Sequence, residues 1–134
     1  MTQMIQLYAM TVAVFLCLDM IGIRLIIRPV FERHVGHLLA DPLRLGPAAL
    51  FYLAYVIGLL WFVSLPALKA GAPLQALWGG MALGFLCYGT YEITNYATLA
   101  DWSLEQVIVD GIWGTLLTGF SAWVGVAVLS QRLA

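Results

Sequence analysis

The chain has 134 residues, 63% hydrophobic and only 10% charged, against about 45–50% apolar and about 25% charged in a soluble domain. Its mean hydropathy is +0.94, and a water-soluble fold of this size leaves too much surface exposed to hide so many apolar side chains. Lipid is the solvent that fits, and a formal net charge of −1 excludes the basic surface that nucleic acid requires.

A spanning helix needs about 20 mostly apolar residues. Four segments qualify, at about 4–27, 47–68, 74–97 and 104–129, separated by Pro29 and Asp41-Pro42, by Gly71-Ala72-Pro73 and by Asp101-Trp102-Ser103. A membrane barrel would instead show short alternating segments. The reading is therefore all-α: a polytopic membrane four-helix bundle forming one transmembrane domain over 1–134.

No Lys or Arg precedes the first apolar run, and Asp19 and Arg24 interrupt it, so it reads as a retained helix rather than a cleaved signal. Tyr8, Thr11, Phe15 and Asp19 share one of its faces. Cys17, and Cys87 in the third span, read as small buried apolar residues rather than a disulfide pair. The stretch 29–40 carries Phe31, Val35, Leu38 and Leu39 at helical spacing, with Glu32, Arg33 and His37 facing elsewhere. With Pro29 at a first helical position, it predicts a short amphipathic helix lying in the membrane interface between helices one and two. Arg24, Arg28, Arg33 and Arg44 flank this loop, against Lys69 and Arg132 on the other side. The positive-inside rule then makes the loop cytoplasmic and both termini periplasmic.

The third segment places Tyr88, Glu92 and Asn95 on one face, with Tyr91 four residues before Asn95. Its Gly80 and Gly84 form a small-xxx-small pair that permits close helix contact, within the bundle or across a homodimer face. Trp78 and Trp102 are expected at the membrane interfaces. Ser103 with Gln106 resembles an N-cap and its partner, and Asp110, Trp113, Gly114 and Thr118 line a face of the fourth helix.

Ionisable groups at membrane depth are costly and face a protein interior or a wet cavity. At a rise of about 1.5 Å per residue, Asp19 lies about 12 Å inside the end of the first helix. By the same rise Glu92 lies about 8 Å inside the end of the third, and Asp110 about 9 Å inside the start of the fourth. With alternating spans all three share one half of the bilayer, together with Arg24, beneath His34 and His37. This predicts a polar pocket open to the cytoplasmic side and floored by apolar packing. Three ionised carboxylates would repel one another, so one holds a proton, or Arg24 or a bound cation offsets them. The paired Glu-x-x-His of di-iron bundles is missing, and no metal site is read. No nucleophile elbow, phosphate loop or dinucleotide fingerprint occurs, and the residues imply no cofactor.

The chain resembles the DUF2177 family of predicted bacterial membrane proteins. The resemblance rests on Asp19, on Gly36-His37-Leu38-Leu39-Ala40-Asp41, on Ala49-Leu50-Phe51-Tyr52 and on Leu65-Pro66-Ala67-Leu68-Lys69-Ala70-Gly71. It continues through Tyr88-Gly89-Thr90-Tyr91-Glu92-Ile93-Thr94-Asn95-Tyr96-Ala97-Thr98-Leu99 and ends on Asp110 with Trp113-Gly114-Thr115. Where Glu92 stands the family more often has Asp, and where Arg24 stands, an apolar residue. The resemblance implies the four-helix architecture, the polar positions and a bacterial inner-membrane location, and it carries no activity. Three classes of function are expected. The first is a pocket that binds or acts on a lipid or other membrane-soluble ligand, with Glu92 or Asp110 exchanging protons among Asp19, Tyr88, Tyr91, Asn95, His37, Arg24 and Trp113. The second is a small proton- or cation-coupled transporter, as a dimer. The third is an accessory subunit of a membrane complex.

Overall fold

The computed structural model describes residues 1–133; the last residue of the expected domain, 134, lies outside the described residues. Four long helices make up nearly all of it, and no strand occurs among the described residues. Helix α1 spans Thr2–Leu38, α2 Leu45–Lys69, α3 Pro73–Thr98 and α4 Leu104–Leu133. Three of them, α1, α2 and α4, are long and apolar enough to cross a membrane. Helix α3 matches the expected third segment in extent, but it is not among those three: Gln75, Gly79-Gly80, Glu92 and Asn95 dilute its hydropathy.

The first helix does not end near residue 27. The chain continues from the α-helix Thr2–Gly22 through a π-turn, Ile23–Ile27, into a second α-helical stretch, Arg28–Val35, and a 3-10 turn, Gly36–Leu38. The separate interfacial helix expected over 29–40 is thus an extension of α1. The cause is Pro29, which cannot donate to the carbonyl of Leu25 and whose ring pushes against it. Widening that turn to the i→i−5 pattern absorbs the misfit without breaking the helix. Helix α2 repeats the device, with a π-turn at Leu60–Ser64 immediately ahead of Leu65-Pro66. In each case the carbonyl that the proline displaces, Leu25 or Phe62, sits at the centre of the π-turn.

Turn chemistry decides how the rods return. At the end of α2, Gly71 adopts φ 63°. Its N–H reaches the carbonyl of Leu68 at 3.1 Å and the N–H of Ala72 reaches that of Ala67 at 3.0 Å, the paired bonds of a Schellman cap. Pro73 then opens α3, so α2 and α3 run antiparallel. At the start of α4, Ser103 and Gln106 cap each other. The Gln106 Oε1 accepts from the Ser103 N–H at 2.9 Å, and Ser103 Oγ accepts from the Gln106 N–H at 3.1 Å. The expected capping pair is therefore present.

Helices α3 and α4 make the closest contact. Their buried rows advance in steps of one turn: Ala76, Gly80, Gly84, half-buried Tyr88 and Glu92 on α3 against Gln106, Asp110, Gly114, Thr118, Ala122 and Val126 on α4. A Cβ on Gly80 would meet the Gly119 backbone, and one on Gly84 would meet the Gly114 carbonyl. Helix α1 crosses the other side of α4, with Trp113 over Gly22 at one end and Gly125 against Leu7 and Thr11 at the other. Helix α2 joins through Phe15, whose ring lies 5.6 Å from both Tyr52 and Tyr55, and through a 2.9 Å bond from the Tyr8 hydroxyl to the Leu53 carbonyl.

The core is lopsided. Leu7, Phe15, Leu59, Ala67, Ala76, Leu117, Ala122 and Leu129 are almost fully buried. All lie in the half that holds the N-terminus and the α2–α3 turn. The other half is open, and residues 41–50 are all exposed. The total accessible surface is 8125 Å², against about 6900 Å² for a compact monomer of this mass. Cys17 and Cys87, expected to be buried, are both exposed, Cys87 along the cavity described below.

The glycine contact yields a test with opposite signs. Gly84→Ala should destabilise by about 1–3 kcal/mol, because backbone atoms cannot yield to the new Cβ. Gly89→Ala, where nothing lies within 4 Å, should be neutral or stabilise by up to about 1 kcal/mol through helix propensity. Thermal unfolding in detergent, followed by circular dichroism, reads both.

Candidate functional site

The open half encloses a cavity of about 1430 Å³ between the lower part of α1, the 39–43 loop, the first turns of α2 and the end of α3. Its walls are mostly apolar, and Leu45, Phe51 and Leu86 line it as exposed side chains. Its inner end is polar. Asp19 and Asp110 line it, as do the rings of Tyr52, Tyr55, Tyr88 and Tyr91.

Each polar group is placed by the helix that carries it. Asp19 continues the buried row Leu7, Thr11 and Phe15 on α1. It is 4% exposed and accepts a 3.2 Å bond from the Trp113 indole N–H, while the Tyr52 hydroxyl approaches it from α2. Tyr88 lies flat over Gly114, where any side chain would overlap its ring. It meets Tyr55 edge to face, with centroids 6.4 Å apart, and the Tyr55 hydroxyl pairs with Thr118 Oγ1 at 2.9 Å.

Glu92 is fully buried, one turn along α3 from Tyr88, and lies beside Asp110 rather than in the cavity wall. Its Oε1 accepts from the Trp102 indole N–H at 2.9 Å. Its Oε2 has no hydrogen-bond partner, and neither has the buried Nε2 of Gln106, the capping residue one turn before Asp110. A buried acceptor without a donor is costly, and the neighbour that Glu92 does have is another carboxyl.

Trp102, in the turn between α3 and α4, is 9% exposed and fixed from three directions. Besides its bond to Glu92, its ring meets Phe31 edge-on at 5.4 Å and Tyr91 at 5.8 Å. The turn between α3 and α4 throws it inward, and the extension of α1 covers it. That extension is also tied by charge. Arg33 Nη2 and His34 Nε2 lie 2.8 Å and 2.9 Å from Glu105 Oε1, and His37 Nε2 lies 2.9 Å from Asp101 Oδ2. These pairs are exposed, so they orient the strap more than they stabilise it.

Of the nine residues expected at the site, the structure brings Asp19, Tyr88, Tyr91 and Asp110 into the cavity wall. Glu92 and Trp113 lie behind that wall, bonded as described. Asn95 sits by the Tyr91 hydroxyl. His37 is turned outward onto Asp101, and Arg24 is exposed on the outer face of the π-turn, away from the cavity lining. Tyr52, Tyr55 and Trp102 were not foreseen. Tyr52 lay within a quoted motif, yet nothing in the spacing of α2 says which of its faces meets α1.

The family model described as a predicted membrane protein, DUF2177, matches residues 4–127. Neither a curated protein nor a solved structure matches the chain.

Trp102→Phe keeps the ring and removes the donor to Glu92. It should cost about 1–3 kcal/mol, the usual penalty for an orphaned buried partner. In a Glu92→Gln background the same change should cost less, because an amide left unpaired is less costly than a carboxylate. The double-mutant cycle is measured by melting temperature; equal losses in both backgrounds would show that this bond carries no special energy.

Proposed function

The chain belongs to the DUF2177 family of membrane proteins, and we propose that its four helices form a four-span bundle whose cavity takes a lipid or another membrane-soluble molecule. The observation that supports this reading most is the cavity: about 1430 Å³, apolar along Ala48, Phe51 and Leu86, and ending on Asp19 and Asp110. Small-molecule sites usually enclose about 300–1,000 Å³, so there is room for an alkyl chain with its headgroup. The exposed apolar side chains Leu45, Phe51 and Leu86 along it support a sideways entry from the bilayer.

In this reading α3 is the fourth span. Its 26 residues reach about 39 Å, more than the hydrocarbon core of about 30 Å. Its Glu92 and close-packed glycines point inward, and Leu74, Trp78, Phe85 and Ile93 meet lipid. The strap and the 39–44 loop, with Arg28, Arg33 and Arg44, then face the cytoplasm of a bacterial inner membrane. Glu92 and Asp110 hold one proton between them and are the exchanging pair, since adjacent buried carboxyls cannot both ionise cheaply. A second reading, proton- or cation-coupled transport, draws on a different observation. Ser64 and Ser121 are buried in the closed half with unpaired hydroxyls, which extends a polar line beyond the cavity floor.

Filling the cavity with Ala48→Trp should lower the lipid retained through purification at least about fivefold, read by mass spectrometry, without lowering the melting temperature. Equal retention would remove the support for a lipid site. The transport reading expects pH-driven uptake in proteoliposomes that Glu92→Gln abolishes.

A further inference from the structure

The polar end of the cavity has a chemistry that narrows its ligand. The lining contains four carboxylates, Asp19, Glu32, Asp41 and Asp110, against one guanidinium, Arg28. That guanidinium is already engaged, with its Nε 2.7 Å from Glu32. At the inner end there is no positive charge at all. Asp110 is 7% exposed there and faces the cavity. The polar side chain bonded to it is the Glu92 carboxyl, so the pair shares a proton but has no cationic partner among the lining residues at this end. The groups completing this end are four tyrosine rings, whose electron-rich faces attract cations. Carboxylates among aromatic faces, with no cationic side chain at that end, match an organic ammonium group. Among the described residues, no group of three or more His, Cys, Asp or Glu side chains is placed to hold a metal ion.

We infer that the cavity selects an amphiphile with an ammonium headgroup, seated between Asp19 and Asp110 inside the rings of Tyr52, Tyr55, Tyr88 and Tyr91, with its chain along Phe51 and Leu86. This rests on the reading of the cavity as a lipid-type site and adds the sign of the headgroup. The cation supplies the charge that the buried carboxyls lack, and the tyrosine rings take the place of its water. An anionic headgroup would face Asp19 and Asp110 with no cation at that end of the lining to offset its charge, and a neutral sugar would offer them no charge of its own.

The test uses the full chain, purified in a sugar-headgroup detergent, and follows indole fluorescence, since Trp113 bonds to Asp19. Dodecyltrimethylammonium below its micelle concentration is compared with a neutral dodecyl polyether of equal chain length. The expected result is at least about tenfold tighter binding of the cation, equivalent to about 1.4 kcal/mol, falling to near parity in Asp110→Asn. Tetramethylammonium, the headgroup alone, should displace the cationic amphiphile from the wild-type chain, which needs no variant to fold. Equal affinity for both amphiphiles, with no competition by tetramethylammonium, overturns the inference and leaves the lipid site standing. Binding of neither amphiphile overturns both.

Discussion

The contact on which the other parts depend is the close approach of α3 and α4. Within a bilayer, helices gain little by exchanging lipid for protein, and association depends on how near the backbones come. Gly80 and Gly84 on one side, and Gly114 and Gly119 on the other, remove the Cβ atoms that would hold the rods apart. Once that register is set, the row along α3 has no freedom left. Tyr88 must lie over Gly114, and Glu92 must arrive beside Asp110. The juxtaposition of two carboxyls, expensive by itself, is imposed by small residues two and three turns away.

Prolines shape the other side of the molecule. A helix that stopped at Pro29 would leave the α3–α4 turn uncovered. Because the π-turn absorbs the proline, α1 runs on and places Phe31 against Trp102. Arg33, His34 and His37 then meet the acidic residues of the opposite turn. Trp102, held beneath this strap, supplies the one indole N–H that reaches Glu92. The strap and the carboxyl pair are therefore mechanically linked through a single side chain.

The cavity follows from an imbalance in α2. Its second half, Val56 to Ala67, packs into the core, whereas its first turns carry no buried residue. Tyr52 and Tyr55 stand at the transition, closing the packed half and lining the open one. The ring of four tyrosines around the carboxyls belongs to two helices, α2 and α3, and is continuous with the apolar wall. A pocket built this way is polar at one end and apolar along its length.

The sequence by itself determined the helical class, the positions of the four rods, the Ser103–Gln106 cap, the glycine pair and the positions of Asp19, Glu92 and Asp110 along their helices. Each of these is written in local spacing, in composition or in the rise of a helix, none of which needs a partner to be read. Only the tertiary structure decided that Trp102 turns inward, that Arg24 points out, that His37 pairs with Asp101, that Cys17 stands exposed while Cys87 lines the cavity, and that Tyr52 and Tyr55 join its wall. Even the continuation of α1 past Pro29 belongs here, since the π-turn is favoured by what the strap reaches beyond it. The reason is rotational. Periodicity groups residues on one face of a helix, but in a chain apolar on every side it does not say which way that face turns. That is settled by which neighbours come close enough to touch.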